Sequence, residues 1–428
     1  MLVQQRFYVE TLGCPKNDVD SDKIVGTLLA DGLIATDDPT LADLVVVNTC
    51  AFIEDARKES IDTVLALGAQ RKDGARLVVT GCMAERYGAE LAEALPEVDQ
   101  VAGFGVPVQM GRKPISISAA PIPSFDLLNL PRPKSTAPWA YVKIAEGCDR
   151  NCGFCAIPSF RGPQRSRDIS QILHEVDELG AKEIVLIAQD LASYGKDRPE
   201  ELGAGSIVQL VRDVTKMTDW VRLLYLYPSD LSDDLIDAIL ETKVPYFDLS
   251  LQHVSKPHLR RMRRWGDGQR FLERIERIRS LAPHAAFRTN FIVGYPGETE
   301  EDHDQLLSFV REAQLDWCGF FAFSPEEGTH ALTLPDHVDV SLMNERLAEL
   351  REIQDGISSD RRDLLLGETI EVLVDEPGIA RSFREAPEID GVVQVPDSLE
   401  VGRFHTVTVE QVFGPDLIAV EGSVANAR

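Results

Sequence analysis

Hydrophobic residues in the first 105 positions alternate between short β-rich runs and segments with helical periodicity. Helical patterns at Ser21–Asp31 and Asp55–Gly68 separate the β-rich runs Phe7–Thr11, Leu44–Asn48 and Leu77–Thr80. Strands that alternate with helices favour a parallel sheet covered by helices. We therefore predict a Rossmann-like parallel α/β domain over residues 1–105.

The alternation resumes at Tyr141 with a longer period, after residues 106–138, whose proline-rich composition indicates a linker. Helical patterns, of which Ile169–Leu179 and Glu300–Ala313 are the clearest, separate six β-rich runs. Six such units predict a partial (β/α)6 barrel over residues 139–355, with functional residues at the carboxyl ends of its strands. The six runs are Tyr141–Glu146, Glu183–Ala188, Val221–Tyr227, Tyr246–Leu251, Ala286–Gly294 and Cys318–Ser324.

The last part of the chain changes pattern again. A charged helical segment, Ser341–Asp363, leads into short β-rich runs that glycine and proline turns separate. This arrangement predicts a small antiparallel β-barrel over residues 363–428. The β-rich runs are Thr369–Val374, Gly391–Val395, His405–Val409 and Leu417–Val420.

Composition narrows the classes of function. The 428 residues carry a formal net charge of −26, and residues 363–428 hold 13 acidic residues, four arginines and no lysine. Phosphate recognition depends on Lys and Arg, so direct nucleic-acid binding is unlikely or secondary, and a basic protein is a better partner. An acidic surface that serves only solubility remains the alternative.

The chain lacks the features of a membrane or secreted protein. No apolar run reaches about 18 residues, and the first residues carry no basic segment followed by an apolar one. We therefore predict a cytoplasmic protein without membrane contact. Its seven cysteines are then expected to be reduced thiols that are available for metal binding or catalysis.

Three cysteines fall within eight residues after a predicted strand: Cys148, Cys152 and Cys155, called the barrel triad below. Iron–sulfur clusters take Cys thiolates, usually four, so three ligands leave one iron open for chemistry. A zinc site would need a second close Cys/His pair, and His253 and His258 lie nearly a hundred residues on. The spacing resembles the radical S-adenosylmethionine (SAM) superfamily, which implies that this cluster cleaves SAM to a 5′-deoxyadenosyl radical.

Three further cysteines each follow one of the N-terminal β-rich runs: Cys14, Cys50 and Cys82, called the N-terminal triad below. The carboxyl ends of parallel strands lie along one sheet edge, so these thiols should converge. We predict a second [4Fe–4S] cluster there, although isolated cysteines are also common in protein cores. Cys318, in the last barrel strand, has no such partner and is interpreted as a packing residue.

With two triads and a C-terminal β-barrel, the chain resembles the methylthiotransferase family along nearly its whole length. The motif Gly13-Cys14-Pro15-Lys16-Asn17 is similar to the branch that modifies an aspartate β-carbon in ribosomal protein uS12, whereas the tRNA branch typically has Gln-Met-Asn after the cysteine. Four further motifs point the same way: Asn48–Ile53, Lys143–Cys148, Ala156–Gly162 and Glu385–Gly391.

The resemblance implies a reaction and its cofactors. One SAM donates a methyl group to a sulfur at the N-terminal cluster, a second is cleaved at the barrel cluster, and a methylthio group is inserted at the aspartate. The family also implies a C-terminal TRAM domain, two [4Fe–4S] clusters that face one cavity, and a low-potential electron donor such as ferredoxin or flavodoxin. Two alternatives remain open: a tRNA adenosine methylthiotransferase, and a non-enzymatic Fe–S or ribosome-binding protein.

Residues at the carboxyl ends of the barrel strands are candidates for holding SAM and substrate. For SAM these candidates are Gln189, Gln252 and Gly294, together with Arg165, which lies just past the cluster loop. Arg161 and Arg167 are further candidates for the methionine carboxylate, but all three arginines could equally be solvated. The segment Ser324–Gly328 is a candidate for contact with substrate.

Overall fold

We describe the fold from a computed structural model of the chain, which covers residues 4–110, 126–203 and 205–422. The N-terminal part is a five-stranded parallel sheet in the order β2-β1-β3-β4-β5, as predicted apart from two short edge strands that are too short to leave a pattern. Its strands are β1 Arg6–Thr11, β2 Ile34–Ala35, β3 Leu44–Thr49, β4 Arg76–Gly81 and β5 Gln100–Ala102, and its helices are α1 Pro15–Ala30, α2 Glu54–Gln70 and α3 Cys82–Ala94.

Helix α1 begins six residues earlier than its hydrophobic pattern indicates. Cys14 has extended dihedrals and precedes the helix, and Pro15 occupies its first turn. Proline is favoured there because its missing N–H would have no partner in the helix and its fixed φ is already helical. The local chemistry of this first turn therefore brings α1 directly against the end of β1.

The middle part forms the predicted partial barrel. Two three-stranded parallel sheets, in the orders β10-β9-β6 and β11-β12-β13, are joined by one parallel bridge between Leu226 and Leu249. A small antiparallel pair, β7 and β8, lies beside the barrel triad. The strands are β6 Trp139–Lys143, β7 Ala145–Glu146, β8 Arg165–Ser166, β9 Glu183–Ile187, β10 Trp220–Leu223, β11 Tyr246–Gln252, β12 Ala286–Val293 and β13 Trp317–Ala322.

Helices cover the outside of this barrel, and their ends follow local capping signals. The helix over Glu300–Ala313 has the predicted bounds, since Thr299 and Asp302 form a capping box at its start. Gly180 ends another helix in the left-handed conformation, with φ of 59°. The helices are α4 Ile157–Arg161, α5 Ile169–Leu179, α6 Pro199–Leu202, α7 Ser206–Thr215, α8 Asp233–Glu241, α9 Lys256–Arg261, α10 Gly268–Leu281, α11 Glu300–Ala313 and α12 Val340–Asp363.

The C-terminal part is a closed barrel in the order β14-β15-β16-β18-β17. It differs from the predicted antiparallel barrel at one pair, since β16 and β18 run parallel. The three-residue β15 is also too short to have been predicted. The strands are β14 Thr369–Glu376, β15 Ile379–Arg381, β16 Val393–Gln394, β17 Phe404–Phe413 and β18 Asp416–Glu421. Among the residues that the structure describes, no helix has the length and hydropathy to cross a membrane.

A loop of the C-terminal part, residues 383–390, packs into the partial barrel. The Trp317 indole N–H donates to the Arg384 carbonyl at 2.8 Å, and the Tyr246 hydroxyl donates to Asp390 at 2.6 Å. Trp317 and Tyr246 are the first residues of their strands. The loop therefore closes the amino ends of the strands, so the opposite, carboxyl ends remain for a site.

The described ends of the predicted linker are packed against the protein. Leu127 and Leu128 are buried, and the Lys23 ammonium on α1 donates to the Leu128 carbonyl. Arg132 bridges α1 and α5 through Asp22 and Glu175, at 2.9 and 3.0 Å. Residues 111–125 lie outside the described part, so the linker boundaries of 106 and 138 stay a prediction.

Candidate functional site

The N-terminal triad lies along one edge of the parallel sheet. Cys14 follows β1, Cys50 follows β3, and Cys82 begins α3 directly after β4. The strands are in level register there, since Asn48 of β3 pairs with Thr11 of β1 and with Thr80 of β4. The three thiols therefore come to neighbouring strand ends, as the sequence predicts.

Glycines allow the three loops to approach one another. Gly13 has φ of +106°, and a Cβ there would lie 3.0 Å from the Cys50 Sγ. Gly81 has φ of +89°, and a Cβ there would lie 2.2 Å from Asn48 Oδ1. A side chain at either position would meet both backbone strain and a clash. The close contact of the loops thus depends on the two glycines that directly precede Cys14 and Cys82.

Asn17 ties the loops together through hydrogen bonds. Its buried side chain donates to the Leu12 carbonyl at 2.7 Å and to the Thr49 carbonyl at 3.2 Å. Its Oδ1 lies 3.6 Å from the Cys82 Sγ, close enough to accept from the thiol. Leu12 and Thr49 lie just before Cys14 and Cys50, so one amide side chain connects all three cysteine loops.

The barrel triad lies on a loop that several backbone contacts hold in place. The Cys148 N–H donates to the Gly162 carbonyl at 3.0 Å, and the Gly153 N–H donates to the Met262 carbonyl at 2.8 Å. Gly147 has φ of +79°, and a Cβ there would lie 2.1 Å from the Pro163 carbonyl oxygen. The loop is therefore clamped between the chain that follows it and the end of α9.

Hydrogen-bond donors point at sulfur in both triads. The Arg264 guanidinium lies 3.2 Å from the Cys152 Sγ, and the Arg150 backbone N–H lies 3.4 Å from the Cys148 Sγ. In the N-terminal triad, Arg161 Nη2 lies 3.0 Å from the Cys82 Sγ. Donors at this distance stabilise a thiolate, and they tune the potential of Fe–S clusters.

Burial keeps several of these thiols neutral in the absence of a cation. It raises the pKa of Cys50 and of Cys148 to about 11, and that of Cys155 to about 12. A bound metal ion deprotonates its thiol ligands, so iron would supply the charge that burial opposes. All seven cysteines are free. Two sets of three clustered thiols with N–H donors on sulfur fit two cluster sites.

Buried charges connect the two triads. Glu146, two residues before Cys148, accepts hydrogen bonds from the Lys143 ammonium at 2.7 Å and from Arg161 Nη1 at 2.8 Å. Asp20 on α1 pairs with the same two cations. Glu146 is buried, but the opposite charges of Arg161 and Lys143 hold the pKa of its carboxyl well below the usual range. The network is balanced, with two cations and two carboxylates.

Helix α4 carries this connection. It begins just after Cys155, and Phe160 packs into the hydrophobic core of the N-terminal part. Arg161, its last residue, reaches Cys82 and Asn17 on the N-terminal side and Glu146 on the barrel side. The five residues from 157 to 161 therefore join the barrel triad to the N-terminal triad.

The sequence-predicted SAM candidates occupy different environments. Gln189 lies at the mouth of the barrel, where its amide donates to Glu146 at 2.7 Å. Gln252 ends β11 with φ of +69°. A Cβ at Gly294 would lie 2.1 Å from the Met343 Sδ on α12, so packing against that helix explains the glycine. The assignment of these residues to SAM stays a prediction.

Arginines 161, 165 and 167 are not freely solvated. Arg165 pairs with Asp126 at 3.3 Å and keeps part of its side chain exposed. Arg167 is buried, and it contacts the Lys143 carbonyl at 2.9 Å and Glu175 at 2.6 Å. Arg161 belongs to the buried network between the triads. The alternative in which solvent surrounds all three arginines is therefore wrong.

The segment Ser324–Gly328 connects the barrel to the N-terminal part. Glu326 is buried, accepts a hydrogen bond from Ser324 at 2.7 Å, and pairs with Arg57 and with Arg86, the latter at 3.1 Å. Both arginines belong to the N-terminal part of the chain. The carboxylate that was a candidate for substrate contact thus forms ion pairs between the two parts.

His253 and His258, which are separated in sequence from the cysteines, lie beside Glu298. Their potential ligand atoms are within 4.8 Å of one another. However, His253 Nδ1 accepts the Ser255 N–H at 3.1 Å, so the proton of the neutral ring is on Nε2. That nitrogen is a donor and not a metal ligand. Cys318 packs against the barrel core, in agreement with its interpretation as a packing residue.

Sequence reasoning did not single out the polar residues that hold the site together. Lys16 and Asn17 belong to the motif around Cys14, and Glu146 belongs to the motif that ends at Cys148, but the sequence predicts no separate role for them or for Arg264. The sequence feature that could have indicated these residues is a charged or amide side chain inside an otherwise apolar or glycine-rich cysteine motif. Such a feature indicates that the side chain is buried, but it does not indicate its hydrogen-bond or ion-pair partner.

Known protein families match three parts of the chain. The chain matches the models of the Uncharacterized protein family UPF0004 at residues 6–103, the Radical SAM superfamily at 142–310 and the TRAM domain at 366–420. The Ribosomal protein uS12 methylthiotransferase RimO of Cutibacterium acnes is 40% identical, with 98% of each chain covered. The protein of the same name from Moorella thermoacetica is 42% identical over 95% of this chain and 97% of its own.

Solved structures are more distant. The radical S-adenosylmethionine methyltransferase TsrM from Kitasatospora setae, with a tryptophan substrate and aza-SAM bound, is 12% identical. It superposes with a TM-score of 0.49 over 83% of this chain and 89% of its own.

Proposed function

Because this chain belongs to the uS12 methylthiotransferase family of radical SAM enzymes, we propose that it inserts a methylthio group at an aspartate β-carbon of ribosomal protein uS12. The observation that carries the proposal is the identity of about 40% over nearly the whole length of relatives that bear this name. The reaction would use two SAM molecules and two [4Fe–4S] clusters.

The six cysteines of the two triads would form two cluster sites. The N-terminal triad would hold one cluster and the barrel triad the other, each with three protein ligands and one open iron. When bound, the clusters and SAM supply the 5′-deoxyadenosyl radical and the methylthio group. The protein contributes position and the exclusion of water. Asn17 and Gly13 bring the N-terminal loops together, and Arg161 and Arg264 donate to one sulfur in each triad.

Charge supports a basic protein as the partner. Part of the acidity of the C-terminal barrel is used internally, since Asp375 pairs with Arg381 at a buried site and Glu385 pairs with Arg362 at 2.6 Å. Most of the other acidic side chains there are exposed or only partly buried. An acidic surface attracts a Lys- and Arg-rich protein and repels nucleic acid. We further propose a cytoplasmic enzyme that a ferredoxin or flavodoxin reduces.

The substrate choice is open to a direct test. We expect the reconstituted enzyme, given SAM and a reductant, to add the mass of a methylthio group less one hydrogen to recombinant uS12. A uS12 variant with alanine at the target aspartate should gain nothing, and neither should tRNA. A mass gain on tRNA with none on uS12 would favour the tRNA branch, and a protein that forms no 5′-deoxyadenosine would be a non-enzymatic carrier.

Cys50→Ala should separate the two half-reactions. Iron content is expected to fall from about eight to about four per chain, because one cluster loses a ligand. Methylthiolation of uS12 should disappear, while 5′-deoxyadenosine still forms at the barrel triad. Iron analysis, the product mass and chromatography of the nucleoside measure the three effects.

The matched control is Cys318→Ala, which removes a thiol that belongs to neither triad. That variant should keep about eight iron atoms per chain. Retention of eight iron atoms by Cys50→Ala would exclude Cys50 as a cluster ligand.

A further inference from the structure

Lys16 reaches from the N-terminal triad into the partial barrel. It lies in the first turn of α1, two residues after Cys14, and only 9% of the residue is exposed. Its ammonium lies 3.3 Å from the centroid of the Tyr225 ring, which follows β10. Tyr225 has φ of +67° and is mostly buried beside the barrel interior. The Lys16 amine is therefore located where the N-terminal triad and the carboxyl ends of the barrel strands meet.

The Lys16 ammonium is without a hydrogen-bond or ion-pair partner among the residues that the structure describes. Two other buried lysines nearby are paired: Lys143 with Asp20 and Glu146, and Lys23 with Glu175 at 3.8 Å and the Leu128 carbonyl. A buried charge is costly unless it is paired and hydrogen-bonded. The face of Tyr225 attracts the cation but leaves N–H groups without acceptors.

The carboxylates that act on Lys16 already have other partners. Burial lowers the pKa of the Lys16 amine, and the titratable groups that also act on it are Cys14, Arg161, Asp248 and Glu146. Asp248 pairs with Arg288 at 3.5 Å and accepts the Tyr225 N–H at 2.9 Å, and Glu146 belongs to the network between the triads. Neither carboxylate therefore neutralises Lys16. The amine is suited to an anionic group that enters from outside.

We propose that the Lys16 ammonium binds the side-chain carboxylate of the substrate aspartate and so selects an acidic residue over a neutral one. This inference rests on the proposed function, in which the carbon next to that carboxylate must lie between the two triads. A carboxylate there would accept a charge-assisted hydrogen bond from Lys16. An asparagine or a nucleobase brings no charge to the same position. Lys16 would then be a specificity-determining residue for the protein substrate.

A comparison of aspartate and asparagine peptides tests this role. We would measure the affinity of the reconstituted protein for a synthetic peptide that spans the uS12 target loop, with Asp or Asn at the target position. The unmodified protein should prefer the Asp peptide by about tenfold to a hundredfold, the range of one charge-assisted hydrogen bond. Lys16→Met should remove this preference by weakening binding of the Asp peptide only, and Lys16→Arg should retain most of it.

The matched control is Lys58→Met, which removes an exposed lysine on α2 and should leave the preference unchanged. Equal binding of the two peptides by the unmodified protein, or an undiminished preference in Lys16→Met, would overturn the inference. The inference would also be overturned if Lys16→Met weakened binding of both peptides equally, or lost iron, and Lys16→Arg did not restore the lost property. Lys16 would then serve packing alone. Failure of the unmodified enzyme to methylthiolate uS12 instead overturns the proposed function, so the two failures are distinguishable.

Discussion

Replacing Cys148 with alanine should abolish 5′-deoxyadenosine formation and uS12 methylthiolation together, and about four of eight iron atoms per chain should be lost. The expected effect is complete because no other thiol can take this position. Cys152 and Cys155 are the other members of the barrel triad, and Cys318 packs against the barrel core. The result would contrast with that of Cys50→Ala, in which nucleoside formation persists.

Three measurements make the Cys148 prediction specific. Iron analysis reports cluster number, chromatography reports SAM cleavage, and circular dichroism reports whether the fold is intact. We expect the secondary structure to be retained, since the loop is also held by the Gly153 N–H and by the contact of Cys155 N–H with the Cys152 carbonyl at 3.2 Å. Nucleoside formation at the rate of the unmodified enzyme would exclude the barrel triad as the site of SAM cleavage.

Replacing Arg161 with methionine should lower the free energy of unfolding by about 3–5 kcal/mol, the usual cost of removing one partner from a buried ion pair. The side chain is almost fully buried, and its loss leaves Glu146 and Asp20 with Lys143 as their only cation within ion-pair distance among the described residues. The Cys82 sulfur and the Asn17 amide oxygen would each lose a hydrogen-bond donor as well.

Arg165→Met is the matched control for Arg161→Met. The same side chain is removed four residues along, but the Arg165 pair with Asp126 is partly exposed, with side-chain exposures of 29% and 23%. Exposed pairs contribute about 0–1 kcal/mol, so the control should be nearly neutral. Denaturant unfolding of the iron-free proteins measures the difference. Equal stabilities of the two variants would contradict the proposed importance of the buried network.

The Arg161 variant should also affect the clusters unequally. Arg161 donates to a sulfur of the N-terminal triad, whereas the donors to the barrel triad are Arg264 and the Arg150 backbone N–H. Hydrogen bonds to sulfur shift cluster potentials, so the N-terminal cluster should change in potential and retention while the barrel cluster changes little. Electron paramagnetic resonance of the reduced protein can distinguish the two sites.

Much of the fold could be predicted because its signals are local. The hydrophobic periodicity typical of strands and helices predicted the N-terminal, middle and C-terminal parts of the fold, and capping residues gave the bounds of α11. The placement of the N-terminal triad followed from one rule, that parallel strands end along one edge. The errors were also local. The edge strands β2 and β5 and the strand β15 are two or three residues long, which is too short for a period to be recognised.

The sequence by itself determined which residues are candidate cluster ligands: three cysteines that each follow an N-terminal strand, and three on one loop after the first barrel strand. Only the tertiary structure decided how the motifs are joined. Arg161 and Arg165 look alike in sequence, yet one is buried against Cys82 and the other pairs with Asp126 near the surface. The loop at 383–390 and the contact of Lys16 with Tyr225 likewise join distant segments. Local sequence patterns do not predict such pairings, because the free energy of a buried charge depends on which partner the fold brings to it.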